Sequence, residues 1–261
     1  MSTHFELVAA LPAGIAGLAI GSFGTVVADR LPRGESLSRP GSHCDSCGRA
    51  LRAWENVPVL SYLLVRGRCS SCGARISPRV LLMELLTAAC FVGFSGRLAS
   101  YWALPAYCVL SAGLIVLSAI DFRLRRLPTA IVYWTGALGA ALLLVASAGT
   151  GDWGALVSAG IGGAACFAVF LAIFMAVPRG IGFGDVRLVA VCGLMLGWLG
   201  LRVVPLGLLL GFVLASVPAL ALVALRKANR KSQIPFGPYL AAGAIVGSLF
   251  GPAIIHATGL F

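Results

Sequence analysis

Two aspartates occupy positions that a membrane-embedded chain rarely keeps: Asp121 in Ile120-Asp121-Phe122 and Asp185 in Gly182-Phe183-Gly184-Asp185, among only nine acidic residues in all. Each adjoins a long apolar run, and a carboxylate beside hydrocarbon marks a functional site. Two carboxylates that meet cannot both ionise readily, so one keeps a proton. The ionised partner can draw a proton from water, while the protonated one polarises a carbonyl, and a proton then reaches the leaving amine. The pattern predicts hydrolysis of an amide bond at the membrane, with no metal and no covalent intermediate. Taken singly, Asp121 is equally well a helix-end carboxylate paired with Arg123, Arg125 or Arg126, and Asp185 an N-cap of the helix that follows. The glycines Gly182 and Gly184 permit backbone shapes that would place Asp185. Glu84 is a third oddity, inside an apolar run beyond Pro78. It reads either as a hydrogen-bond partner of a neighbouring helix or as a wall of the same polar cavity.

A second constellation is Cys44-x-x-Cys47 and Cys69-x-x-Cys72, with 21 residues between the pairs. Each pair offers two thiolates to one ion, and two pairs complete a tetrahedral four-cysteine structural zinc site. Gly48 and Gly73 follow the pairs where a tight turn is needed. Four thiolates close the coordination sphere, so the metal is expected to hold the loop rather than to react. Cys90, Cys108, Cys166 and Cys192 fall in apolar runs and read as packing residues.

The elements that must position these groups are membrane helices. Of 261 residues, 59% are hydrophobic and 11% charged, with mean hydropathy +0.96. Apolar runs at 5–28, 79–98, 103–120, 130–149, 154–177, 186–200, 203–225 and 236–258 predict an all-α polytopic membrane protein of about eight transmembrane helices with a cytoplasmic four-cysteine zinc-binding loop. The sixth run is short and suits a tilted or partly re-entrant helix. Glycines spaced by four, as in Gly17/Gly21, Gly193/Gly197, Gly207/Gly211 and Gly243/Gly247/Gly251, let helices approach closely.

Charge gives the expected topology. Eighteen of the 20 Lys and Arg fall in segments on one side, which the positive-inside rule makes cytoplasmic. Both termini then face outward, and the zinc loop and both aspartates sit at the cytoplasmic edge. The net charge of +11 is explained by topology and attraction to membrane lipid, not by nucleic acid. The chain divides into a first transmembrane helix (1–28), a cytoplasmic zinc-binding loop (29–78) and a helical membrane domain carrying both aspartates (79–261).

These residues together resemble the bacterial prepilin peptidase (type IV leader peptidase) family, of the Gly-x-Gly-Asp intramembrane aspartyl protease class. The likeness rests on Gly21-Ser22-Phe23 with Arg30-Leu31-Pro32, on the double Cys-x-x-Cys, and on Asn56-Val57-Pro58 with Leu60-Ser61-Tyr62. It continues through Arg66-Gly67-Arg68-Cys69, Glu84-Leu85-Leu86-Thr87, Ile120-Asp121 with Leu127-Pro128, Gly182-Phe183-Gly184-Asp185-Val186-Arg187-Leu188 and Ile234-Pro235-Phe236-Gly237-Pro238-Tyr239. The chain departs from the usual pattern at Thr25 (often Asn), Glu55 (Asp), Thr129 (Asp or Asn) and Arg187 (Lys).

The resemblance implies an enzyme in the bacterial inner membrane. It would cleave the basic leader of type IV prepilins or type II secretion pseudopilins, after Gly and usually before Phe, with Asp121 and Asp185 as catalytic residues. It also implies N-methylation of the new amino terminus with S-adenosylmethionine as donor. Loop 29–78 is associated with that activity, and Glu84 is a candidate contributor to the cofactor site. The competing expectation is a proton-coupled transporter whose aspartates relay protons and whose zinc loop acts as a gate.

Overall fold

The computed structural model describes residues 2–98, 100–177, 181–225 and 235–259. Arg179 and Gly180, and the basic stretch from Arg226 to Ile234, lie outside them. The chain divides into two compact units, Met1–Gly96 and Arg97–Phe261.

The first unit contains α1 (Ser2–Arg30), a loop with a short helix α2 (Leu60–Leu64), and α3 (Pro78–Arg97). Helices α1 and α3 approach through the expected small residues. A Cβ on Gly17 would lie 2.5 Å from Ala88 Cα, and one on Gly21 2.7 Å from Glu84 Cα. The Gly21-Ser22-Phe23 signature is thus in part a packing contact against the helix that carries Glu84. Helix α1 runs straight into a 3-10 turn at Leu31–Arg33, which Gly34 closes at φ 70°.

The second unit is a helical bundle of α4 (Leu104–Leu124), α5 (Thr129–Thr150), α6 (Trp153–Ala176), α7 (Phe183–Trp198), α8 (Val203–Ala224) and α9 (Gly237–Thr258). Glycine again sets the separations. Gly193 on α7 faces Gly162 on α6, where an added Cβ would sit 2.5 Å from the Gly162 carbonyl. On α9, Gly247 leaves room for Gly207 of α8, 2.7 Å from where its Cβ would be.

Helix α7 is the buried element. Val186, Leu188, Val189, Cys192, Met195 and Leu196 are all inaccessible, and the Tyr107 hydroxyl of α4 donates to the Met195 carbonyl at 2.7 Å. Seven helices of the described residues are long and apolar enough to cross a membrane. The eighth expected span is α7, whose 16 residues rise about 24 Å, short of the roughly 30 Å hydrocarbon layer. It begins at Phe183, before the expected boundary, so Asp185 is inside the helix.

Candidate active site and metal centre

Asp121 lies one turn from the C-terminal end of α4, and its side chain is buried. The helix stops at Arg125, which takes φ 50° and donates its N–H to the Asp121 carbonyl at 2.9 Å. The Asp121 carboxylate is met by the start of α9: Gly237 donates its backbone N–H to Oδ2 at 3.2 Å. A side chain at 237 has no room, because a Cβ would fall 2.9 Å from that oxygen.

Asp185 occupies the first turn of α7. Gly182, not Asp185, is the N-cap residue, and the Asp185 N–H donates to the Gly182 carbonyl at 3.0 Å. The expected reason for the two glycines is corrected here. Neither takes a left-handed conformation: Gly182 is extended at φ −76°, and Gly184 is helical. At Gly184 the constraint is space, since a Cβ would lie 3.0 Å from the Leu127 Cβ in the turn leaving α4.

Leu188, one turn along α7 from Asp185, packs at the start of α9 beside Gly237 and Asp121. The ends of α4, α7 and α9 therefore meet around Asp121, one turn of α7 from Asp185, although the sequence separates the two aspartates by 64 positions.

Sequence reasoning missed a contact between the starts of α5 and α7. Arg187 donates from Nη1 to Thr129 Oγ1 at 2.6 Å, and its guanidinium lies 4.4 Å from the Phe183 ring centre and 5.4 Å from that of Tyr133. Its Nε is buried with no hydrogen-bond partner among the described residues. The two departures at Thr129 and Arg187 are thus in direct contact. That pairing was open to inspection only as two coincident substitutions.

In the first unit, all four sulfurs of Cys44, Cys47, Cys69 and Cys72 lie within 4.8 Å of one another, and Cys44 Sγ is 3.8 Å from Cys72 Sγ. Zn–S bonds of about 2.3 Å place tetrahedral thiolates roughly 3.8 Å apart, so the donor set and spacing fit a zinc ion. The two pairs are copies of one knuckle. Cys44 N–H donates to Arg49 O at 2.9 Å as Cys69 N–H does to Ala74 O at 2.8 Å, and Gly48 and Gly73 turn at φ 69° and 70°. Isolated antiparallel bridges, His43 with Ala50 and Arg68 with Arg75, close each knuckle. The sequence shows this only as a doubled Cys-x-Ser-Cys-Gly. Amides of Cys72 and Ser71 pointed at Cys69 bring its thiol down to about 6, and those of Cys47 and Ser46 lower Cys44 likewise. His43 is turned to the Gly41 carbonyl, 2.9 Å from Nδ1.

Glu55 ties the knuckles together. It accepts from Arg49 Nη2 at 2.6 Å, from the Ser70 hydroxyl at 2.5 Å and from the Arg52 amide at 2.8 Å. The Arg49 hydrogen bond, followed by Ser70, holds its carboxyl down to about 2. Glu84 is buried in α3 and accepts the Val59 N–H at 2.8 Å. Val59 takes φ 61°, a genuine outlier for a β-branched residue. Thr25 donates to the Ser22 carbonyl of its own helix at 2.6 Å.

The described residues define a polytopic helical membrane protein with a paired-carboxylate site, and a separate unit carrying two matched cysteine knuckles. The bacterial peptidase A24 N-terminal domain profile matches residues 15–97, and that of the type IV leader peptidase family matches residues 108–224. A prepilin leader peptidase/N-methyltransferase of Stutzerimonas stutzeri is 34% identical over 271 residues, covering 92% of this chain and 90% of the relative. Its counterpart in Pseudomonas aeruginosa is 32% identical, covering 91% and 89%. One from Burkholderia pseudomallei is 36% identical, covering 85% and 71%. No solved structure matches the chain. The chain belongs to the type IV leader peptidase family.

Proposed function

We propose that this enzyme cleaves the basic leader from type IV prepilins or type II secretion pseudopilins and methylates the new amino terminus. What supports the peptidase reading is the convergence of the ends of α4, α7 and α9, where Gly237 touches Asp121 and Leu188, one turn from Asp185. Its support is the family and the relatives named for both activities. Nothing in the family or the site favours a proton-coupled transporter.

In the proposed reaction, the carboxylates share one proton at rest. The ionised member takes a proton from a water held between them. The protonated member hydrogen-bonds the scissile carbonyl as the oxygen attacks, and a proton passes to the departing amine. The Gly237 amide fixes the Asp121 carboxylate at its end of the pair. Arg187, held by Thr129 and two rings, fixes the first turn of α7 against the start of α5.

The zinc knuckles and both aspartates are assigned to the cytoplasmic side and both termini to the outside, on the distribution of Lys and Arg. In functional terms, 1–28 anchors the chain, 29–78 is the zinc loop associated with methylation, and 79–261 holds the peptidase. Cys44, Cys47, Cys69 and Cys72 would hold a structural zinc. The methyl donor is S-adenosylmethionine, as the name of the relatives suggests. Glu84, which accepts the Val59 N–H, stays the candidate contributor to its site.

Co-expression with a prepilin tests both activities. Mass spectrometry should show a product lacking its leader and carrying one added methyl group. An uncut prepilin beside well-expressed enzyme rejects the reading.

A further inference from the structure

The zinc loop has a feature that neither hydrolysis nor metal binding uses. An open cavity of about 440 Å³ is lined by Tyr62, Arg66, Arg68, Arg75, Ile76 and Pro78, with no carboxylate among its walls. Its floor is built from the loop backbone. Gly67 turns at φ 65° under the Tyr62 ring, donating its N–H to the Tyr62 carbonyl at 2.9 Å, and Ile76 N–H donates to Gly67 O at 2.8 Å. The bridge between Arg68 and Arg75 sets two of the arginines side by side, and Arg66 begins the same turn. Of this unit's carboxylates, Glu55 is held by Arg49 and Ser70, Glu84 by the Val59 amide, and Glu35 lies 3.9 Å from Arg33.

The cavity does not fit the methyl donor. Its arginines would suit the donor's carboxylate, but the sulfonium and the amino group would face three cations and no acid. The chemistry matches a phosphate, which takes several guanidinium donors at once.

Two observations choose the source of that phosphate. Pro78 is both a wall of the cavity and the first residue of α3, a helix able to cross a membrane. Next to the cavity, α2 presents Leu60, Leu63 and Leu64 at 59%, 60% and 72% exposure, with Trp54 and Val57 also exposed. Leucines at such spacing form one apolar stripe. A stripe flanked by arginines suits the boundary between headgroups and acyl chains of an anionic bilayer.

We propose that the zinc loop docks on an anionic bilayer surface, with the α2 leucines at the acyl boundary and a lipid phosphate held by Arg66, Arg68 and Arg75. This goes beyond the peptidase reading and needs only that α3 enters the bilayer at Pro78.

The test is hydrogen–deuterium exchange on the full-length protein in nanodiscs, which expose both leaflets and so remove any dependence on sidedness. Segments 60–68 and 75–79 should exchange more slowly with phosphatidylglycerol present than in phosphatidylcholine alone. Inorganic phosphate added to phosphatidylcholine discs should not reproduce the effect. Each arginine replaced by Gln should weaken the lipid-dependent protection by roughly fivefold, and Leu60→Ser/Leu63→Ser/Leu64→Ser should remove protection in both lipids. Equal exchange in the two lipids would overturn the proposal, and so would full protection by free phosphate. Should the arginine variants lose zinc, the wild type decides alone: its protection must fall at high salt, and persistence there rejects the headgroup contact.

Discussion

Gly237 donates its amide to Asp121 Oδ2 at 3.2 Å, with no room for a side chain between them. This single contact joins the Ile-Asp signature of α4 to the Pro-Phe-Gly-Pro signature that opens α9, two segments over a hundred residues apart. The closing motif therefore contributes a backbone amide to the candidate site at Asp121.

Its consequence is a substitution that disables chemistry while sparing the fold. Gly237→Ala places a methyl against the end of a flexible side chain, so Asp121 yields and the backbone does not. Displacing a reacting group by about an ångström costs on the order of a hundredfold in rate. Cleavage should fall by that order while thermal stability in detergent hardly changes. Asp121→Asn and Asp185→Asn should each abolish cleavage at matched expression, and activity surviving in either would remove the dyad.

The Thr129–Arg187 contact gives a second prediction. A hydrogen bond to a charged group contributes about 1.5–3 kcal/mol when buried, and less at an exposed contact such as this one. Thr129→Val and Arg187→Lys should each lower kcat for cleavage, and the double variant should be less impaired than the two losses added together. Thr129→Asp, which replaces the hydroxyl with a carboxylate, should retain the clamp. Strict additivity in the cycle would show that the two side chains act independently.

Much of this was legible in the sequence, and the limits were physical. Apolar runs gave the long helices because a bilayer imposes length and composition on each one. Glycines spaced by four gave the tight crossings at α1–α3, α6–α7 and α8–α9. Residue type and spacing singled out the aspartates and the cysteines. The partners of those groups were hidden, because Asp121 is met by a backbone amide and Glu84 by the amide of Val59, and a backbone amide leaves no trace in residue identity. The start of α7 was also misplaced, since Gly184 reads as a loop residue until Leu127 packs against it.

Val59 and Glu84 make a third prediction. The positive φ of Val59 costs roughly 1–2 kcal/mol and persists because a buried carboxylate takes its N–H. Glu84→Ala should release the 59–68 segment, seen as faster amide exchange there than in α3. Adding Val59→Gly removes the strain and should slow exchange again. If the double variant exchanges as fast as Glu84→Ala alone, the carboxylate supports something other than this turn.

Glu55 links the knuckles, and its titration gives a pH signature. Its folded carboxyl is held down to about 2, chiefly by Arg49, against roughly 4.3 for a free Glu. A depressed carboxylate adds stability that is fully present above the unfolded value and is lost as pH falls towards the folded one. Wild type should therefore resist pepsin within 29–78 better than Glu55→Gln at pH about 5. The gap should close as pH drops towards 2. A gap that widened with acid would contradict the assigned link.

The last prediction separates the two activities. Purified enzyme should carry about one zinc per chain, lost in a Cys44→Ser/Cys47→Ser variant. Asp121 and Asp185 belong to the second unit and the cysteines to the first, and the reading proposed above gives methyl transfer to the loop. The variant should still cut some prepilin and leave the new amino terminus largely unmethylated. Cut and methylated fractions read from one mass spectrum decide the matter. Parallel loss of both would make the loop a requirement for substrate entry, and full methylation by the zinc-free variant would detach the loop from methyl transfer altogether.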